Sequence, residues 1–138
     1  MEARGTHIIC ELSGCDARML SDVEYVRNVM VSAAREANAE ILKDAFHRFQ
    51  PQGVSGVVVI QESHLSIHTW PESGYAAVDF YTCGDHTDPW RACEYAAKKL
   101  GATSMLTTEV KRGIASTNGQ YTHVVHEHAG QRVAKRSA

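Results

Sequence analysis

The sequence predicts an α+β fold, a two-layer sandwich in which an antiparallel sheet carries helices packed on one face. Three features of the 138-residue chain point there. One segment repeats its apolar residues at helical spacing, and a second is framed by helix-capping residues. Several shorter runs alternate in polarity or are rich in β-branched residues. Short turn-forming stretches, Pro51 with Gly53 and then Pro71-Glu72-Ser73-Gly74, join neighbouring strands as antiparallel pairs require.

The elements follow in order. His7 to Leu12 reads as a first strand, and Ser13-Gly14-Cys15-Asp16 as the turn after it. Ser21 followed by Glu24 has the spacing of a capping box. Val23, Val26, Met30, Ala33 and Ala37 then recur on one helical face, giving a helix over 21–37. Residues 40–49 suit a strand ending in Phe46-His47-Arg48-Phe49. Val54 to Ile60 is β-branched and apolar on both faces, as a central buried strand should be. A polar break, Gln61-Glu62-Ser63, precedes alternating residues over 64–70, and a strand over 75–82 follows the next turn. Asp88 suits an N-cap, Pro89 the first helical position and Gly101 the C-cap, framing a helix over 88–100. A last strand over 102–110 completes an order of βαββ followed by ββαβ. After Gly113 the chain is polar and lacks clear periodicity. The expectation is a single domain over 1–138 with a polar tail, 114–138. The sheet face without helices must be solvated or covered by a partner.

Composition narrows the function classes. Lys and Arg number 14 against 16 Asp and Glu, a formal net charge of −2. No strong basic excess suggests nucleic acid or a membrane surface as partner. Apolar stretches fall short of the roughly 20 residues that span a bilayer. Met1-Glu2-Ala3-Arg4-Gly5 shows no apolar leader, so a soluble cytoplasmic protein is expected. Cys10, Cys15, Cys83 and Cys93 lack CxxC spacing, so neither paired-cysteine zinc nor disulfides are expected. They read as buried thiols, except that Cys83 ends an apolar run and can be half-exposed. No metal site is expected among the eight histidines. His64 and His68 lie on a strand, about 13 Å apart. His123, His126 and His128 fall in the polar tail.

The stretch from Gly53 to Glu72 carries the chemistry. It is a buried strand, a polar corner at Glu62-Ser63 and a second strand. Ser55 and His68 flank the corner, and Cys83 ends the next strand. A serine, a histidine and a cysteine near one sheet can build a nucleophilic site, and they can equally be ordinary polar residues of a sheet.

The string Gly-Val-Ser-Gly-Val-Val-Val-Ile-Gln-Glu-Ser-His-Leu-Ser-Ile-His-Thr-Trp-Pro-Glu, from Gly53 to Glu72, closely resembles the prokaryotic S-adenosylmethionine decarboxylase proenzymes. The resemblance continues through Gly74-Tyr75-Ala76-Ala77-Val78-Asp79, Thr82-Cys83-Gly84 and Asp88-Pro89-Trp90, with Phe46-His47-Arg48-Phe49 upstream. It extends over residues 5–112. It implies a pyruvoyl-dependent carboxy-lyase acting on S-adenosylmethionine to supply the aminopropyl donor of spermidine and polyamine synthesis. The protein would cut itself between Glu62 and Ser63, leaving a β chain of 1–62 and an α chain of 63–138. The Ser63 hydroxyl would attack the Glu62 carbonyl, and β-elimination and loss of ammonia would convert Ser63 into the pyruvoyl group. That ketone would form a Schiff base with the substrate.

The resemblance also implies residue roles. Ser55 would stabilise the oxyanion of processing. His68 would be the base that removes the Ser63 α-proton, a task its usual pKa near 6.5 suits. Cys83 would return a proton to the substrate. Phe49 would stack on the adenine and Glu72 would bind the ribose. Trp70 is a weaker candidate for the substrate wall, since it could as well pack under the sheet. His64 flanks the cleavage site. Ser73 departs from the family pattern, which often has an aromatic residue there, and the tail from Gly113 matches no part of it.

Geometry adds one expectation. Ser63 and His68 are five strand residues apart, roughly 16 Å and on opposite faces. A homodimer in which Ser63 and Cys83 of one protomer meet Ser55 and His68 of the other resolves this. A sharp bend at residues 63–64 is the competing solution. Same-fold arginine or ornithine decarboxylases are alternatives, with Glu72 or Asp85 facing a cationic substrate end. A non-enzymatic binding relative is a more distant one.

Overall fold

Carboxylate caps set where the helices begin. In the computed structural model, which describes residues 2–128 and 130–133, Asp16 accepts hydrogen bonds from the backbone N–H groups of Arg18 and Met19 and opens the short α1 (Ala17–Ser21). Asp22 ends that turn and caps α2 (Val23–Glu36), accepting from Tyr25 N–H at 3.1 Å. The helix expected over 21–37 forms as α2, and α1 is a further short helix ahead of it. Ser21 is already helical, so the carboxylate one residue later takes the capping donor. Asp88 caps α3 (Pro89–Lys99), accepting from Trp90 N–H at 3.0 Å, with Pro89 in the first turn as expected.

The strands are β1 (Gly5–Ser13), β2 (Ile41–Arg48), β3 (Val54–Ile60), β4 (Ser63–Trp70), β5 (Tyr75–Cys83), β6 (Ser104–Ala115), β7 (Tyr121–Glu127) and β8 (Gln131–Arg132). They form one sheet in the order β2-β3-β4-β5-β1-β6-β7, with β8 beside the start of β6. All the pairs are antiparallel. The helices cover one face, so the expected α+β sandwich is what the sequence forms. Ile8, Leu12, Val58, Leu65, Ile67 and Phe80 point into the helix layer and are buried there against residues such as Leu20, Met30 and Leu100. Each large side chain contributes roughly 1.5–3 kcal/mol by leaving water.

The alternation within β4 separates the two faces. Leu65, Ile67 and Thr69 are buried, whereas His64, Ser66, His68 and Trp70 face away from the helices. Thr69 fixes the far end of this strand. Its hydroxyl donates to Leu20 O at 2.8 Å and accepts from Val54 N–H at 2.9 Å. The second apolar face expected for β3 is present but uncovered, and Val59 is 39% exposed on it. Gly56 lies opposite Phe46 in register, and a Cβ there would sit 1.9 Å from the Phe46 ring.

Two elements exceed the sequence expectation. β6 runs on to Ala115 rather than ending near 110. The polar segment then turns at 116–120, where Ser116 Oγ donates to Gln120 O at 2.6 Å, and returns as β7. All seven β7 residues are exposed. A strand wet on both sides has no reason to alternate, so its sequence shows no period. Residues 129 and 134–138 of the expected tail lie outside the described residues. Among the described residues no helix is long and apolar enough to cross a membrane.

Candidate active site

The junction between β3 and β4 combines an unusual backbone with a doubly bonded carbonyl. Ser63 opens β4 with φ 151°, a region that a side chain disfavours and glycine tolerates. The carbonyl oxygen of Glu62, just before it, accepts two hydrogen bonds from one residue. Cys83 N–H donates at 2.9 Å and Cys83 Sγ at 2.8 Å. Donors placed on a carbonyl oxygen stabilise the negative charge that builds there when a nucleophile adds. The Ser63 hydroxyl is carried by the adjoining residue. Cys83 is exposed, while Cys10, Cys15 and Cys93 are buried, and all four are free thiols. Burial pushes the Cys15 thiol up to about 11.

The Glu62 side chain is buried, with 6% of the residue exposed. One oxygen accepts from Glu40 N–H at 3.2 Å, and the other lies 2.5 Å from His86 Nε2. Burial pushes its carboxyl upward, but the bonds from His86 and from backbone N–H groups outweigh burial and hold it below the usual carboxylate range.

A second group lies at the other end of β4. Ser55 and His68 are register partners across β3 and β4, with Ser55 Oγ 2.8 Å from His68 Nδ1. They line a hollow of about 340 Å³ together with Phe49, Trp70 and Glu72. Phe49 and Trp70 are 46% and 43% exposed there. Trp70 stacks on Tyr75, with ring centres 5.1 Å apart, on the uncovered face rather than under the sheet. Five of the expected residues therefore share one hollow, while Glu62, Ser63 and Cys83 form a separate centre. The ladder keeps its register from Ser63 to His68 against β3 and from Ser63 to Trp70 against β5, so no bend at 63–64 brings Ser63 to His68.

Between the two centres lies a cluster that residue types alone do not single out. His7 Nε2 and His64 Nε2 lie 2.6 and 3.0 Å from the same Asp79 oxygen, and Ser66 donates to the other. Burial pushes Asp79 up, yet the bonds from His7, Ser66 and His64 prevail and bring its pKa to about 2. The His7, His64 and Asp79 ligand atoms lie within 4.8 Å of one another, close enough to hold a metal ion. Arg112 argues for a different use. Its guanidinium donates to His7 Nδ1 at 3.1 Å, which leaves the ring hydrogen on Nε2, where a metal would need the lone pair. Nearby, Tyr75 donates to Glu11, and that bond pushes the phenol up to about 12. The signal for this cluster is the pairing register, which opposes Ser66 to Asp79 and His64 to Tyr81.

Fold and junction together define a class: an α+β sandwich carrying a candidate proenzyme junction, a serine beside a carbonyl held by two donors. The comparisons with known proteins make this specific. The sequence model described as S-adenosylmethionine decarboxylase matches residues 6–113. The S-adenosylmethionine decarboxylase proenzyme of Caldanaerobacter subterraneus subsp. tengcongensis is 60% identical over 114 residues, covering 83% of this chain and 92% of that protein. The proenzyme of the same name from Clostridium tetani is 57% identical, covering 83% and 90%. The crystal structure of the adenosylmethionine decarboxylase from Aquifex aeolicus superposes with a TM-score of 0.79 at 38% identity, covering 85% of this chain and 97% of that one. The chain belongs to the S-adenosylmethionine decarboxylase family.

Proposed function

We propose that this protein cuts itself between Glu62 and Ser63 and that the product decarboxylates S-adenosylmethionine, supplying the aminopropyl donor for spermidine and other polyamines. The observation that carries the proposal is the Glu62 carbonyl held on Cys83 N–H and Sγ immediately before Ser63. Ser63 Oγ adds to that carbonyl carbon, the C–N bond breaks, and the amide becomes an ester with a free Ser63 amine. Removal of the Ser63 α-proton expels Glu62 as a carboxylate, and addition of water with loss of ammonia leaves a pyruvoyl group. The residues present suit that group, since a serine at a disfavoured φ stands beside an activated carbonyl. Once formed, it supplies an electron-accepting carbonyl as CO₂ leaves the substrate.

The protein's own residues divide the remaining work. His68, bonded to Ser55, serves as the base for the α-proton, and Ser55 serves the oxyanion of processing. Phe49, Trp70 and Glu72 bind the nucleoside, the aromatic faces suiting a sulfonium as well. Cys83 returns a proton to the substrate carbon. The two centres lie at opposite ends of β4, so we assign each active site to a homodimer, Ser63 and Cys83 from one protomer and Ser55 and His68 from the other. We assign the reaction to the cytoplasm, where a proton-donating thiol stays reduced.

Intact mass and CO₂ release test the proposal. The expected result is two fragments, the larger blocked to N-terminal sequencing, and labelled CO₂ from S-adenosylmethionine but not from arginine or ornithine. A single uncut polypeptide after long incubation, or CO₂ from arginine or ornithine instead, overturns it.

A further inference from the structure

The loop after β5 holds a contact that self-cleavage, as described, does not use. His86 Nε2 lies 2.5 Å from Glu62 Oε2, and it is the side chain that meets this buried carboxylate oxygen. The other oxygen meets Glu40 N–H at 3.2 Å, and the carbonyl of the same residue meets Cys83. Glu62 is therefore gripped from three directions. His86 is itself anchored. Asn38 Nδ2 donates to His86 O at 3.0 Å, and Asp88 N–H donates to Ala37 O at 3.0 Å. These bonds fasten the loop to the residues that end α2.

We propose that His86 is a positioning residue for self-cleavage, holding the Glu62 carbonyl on the Cys83 donors through the Glu62 side chain. The same grip keeps the new C-terminus of the β fragment in place afterwards. The inference rests on cleavage at Glu62–Ser63. In that reaction the ester's Cβ–O bond breaks and Glu62 leaves as a carboxylate, one of whose oxygens is the former carbonyl oxygen. That oxygen starts on the Cys83 N–H and S–H, so a retained Glu62 stays as the acceptor for the thiol. A Glu62 released from His86 is tethered there by weaker contacts once the covalent link is gone.

The test compares full-length proenzymes carrying His86→Ala, His86→Gln and His86→Asn with the unaltered protein. Glutamine reaches far enough to donate to Glu62 Oε2, whereas asparagine is shorter. Fragment formation is followed by gel over time, thermal unfolding is measured on each, and alkylation of Cys83 by iodoacetamide is read by mass after cleavage. The expected result is cleavage roughly tenfold to a hundredfold slower in His86→Ala, the usual effect of losing a charge-assisted bond. His86→Gln should recover most of the rate, His86→Asn should stay slow, and Cys83 should alkylate faster in the cleaved Ala and Asn proteins. Cleavage of His86→Ala at the unaltered rate overturns the inference, as do equal rates in Gln and Asn. If His86→Ala does not fold, the Gln and Asn pair decides the question alone. Failure of the unaltered protein to cleave at all removes the reading beneath, and is distinguishable because His86 is then intact.

Discussion

Mixing two inactive variants tests the shared site most directly. Ser63→Ala removes the nucleophile and His68→Ala removes the base. The ladder of β4 runs unbroken from the Ile60–Ser63 pair to the Ser55–His68 pair. Five residues at about 3.3 Å each separate the two groups by about 16 Å, far beyond proton-transfer reach. If each site draws on both protomers, a mixed dimer has one site with both Ser63 and His68 and one with neither. Random pairing of equal amounts makes about half of all dimers mixed, so about a quarter of all sites are intact and about half of the His68→Ala protomers are cut. Co-expression with distinct tags and mass analysis of each variant measures this. Decarboxylation should return to about a quarter of the unaltered level. Mixed dimers that form, as shown by co-purification of both tags, yet leave every His68→Ala protomer uncut would refute the shared site.

Other outcomes follow from single contacts. Asp79 has its pKa lowered from 3.8 to about 2, so its ionised form stabilises the fold above pH 4 and that stability is lost as pH falls through 2. The shift corresponds to about 2 kcal/mol at 1.36 kcal/mol per pH unit. Urea unfolding at fixed protein concentration should show that loss in the unaltered protein and a flatter pH profile in Asp79→Asn. An equal slope in both would refute the assignment. Asp22→Ala should cost about 1 kcal/mol of stability by removing the α2 cap, whereas Ser21→Ala should be nearly neutral. The reverse ranking in thermal melts would restore the capping box. Gly56→Ala pushes a methyl into the Phe46 ring and should cost about 1–3 kcal/mol, with part of the loss recovered by adding Phe46→Leu.

What the sequence discloses depends on the range of the interaction. The start of α3 is local chemistry, Asp88 with Pro89, and it stands where the residues place it. The polar-apolar alternation of 64–70 likewise reports faithfully which face each residue takes. β7 is invisible in the sequence because no burial acts on it, and α1 because five residues are too few to show a helical period. The site divides the same way. Ser55, Ser63, His68 and Cys83 stand out through their resemblance to a known family, while residue types alone leave a polar sheet equally plausible. The Asp79 cluster depends on strand register, and His86 on the fold of a loop 24 residues beyond Glu62. Neither relation is written in neighbouring residues.

The strand order has a further consequence. A cut after Glu62 would leave β1, β2 and β3 on one fragment and β4 to β8 on the other. β1 does not lie with its fragment mates. It is inserted between β5 and β6, bonded along its length to both. The two pieces are interleaved, and neither can withdraw without unzipping the centre of the sheet. A cut in the covalent backbone is therefore not a cut in the fold. Reassembly after unfolding, however, becomes an encounter between two molecules and depends on their concentration. Folding first and cutting second is the order this topology favours.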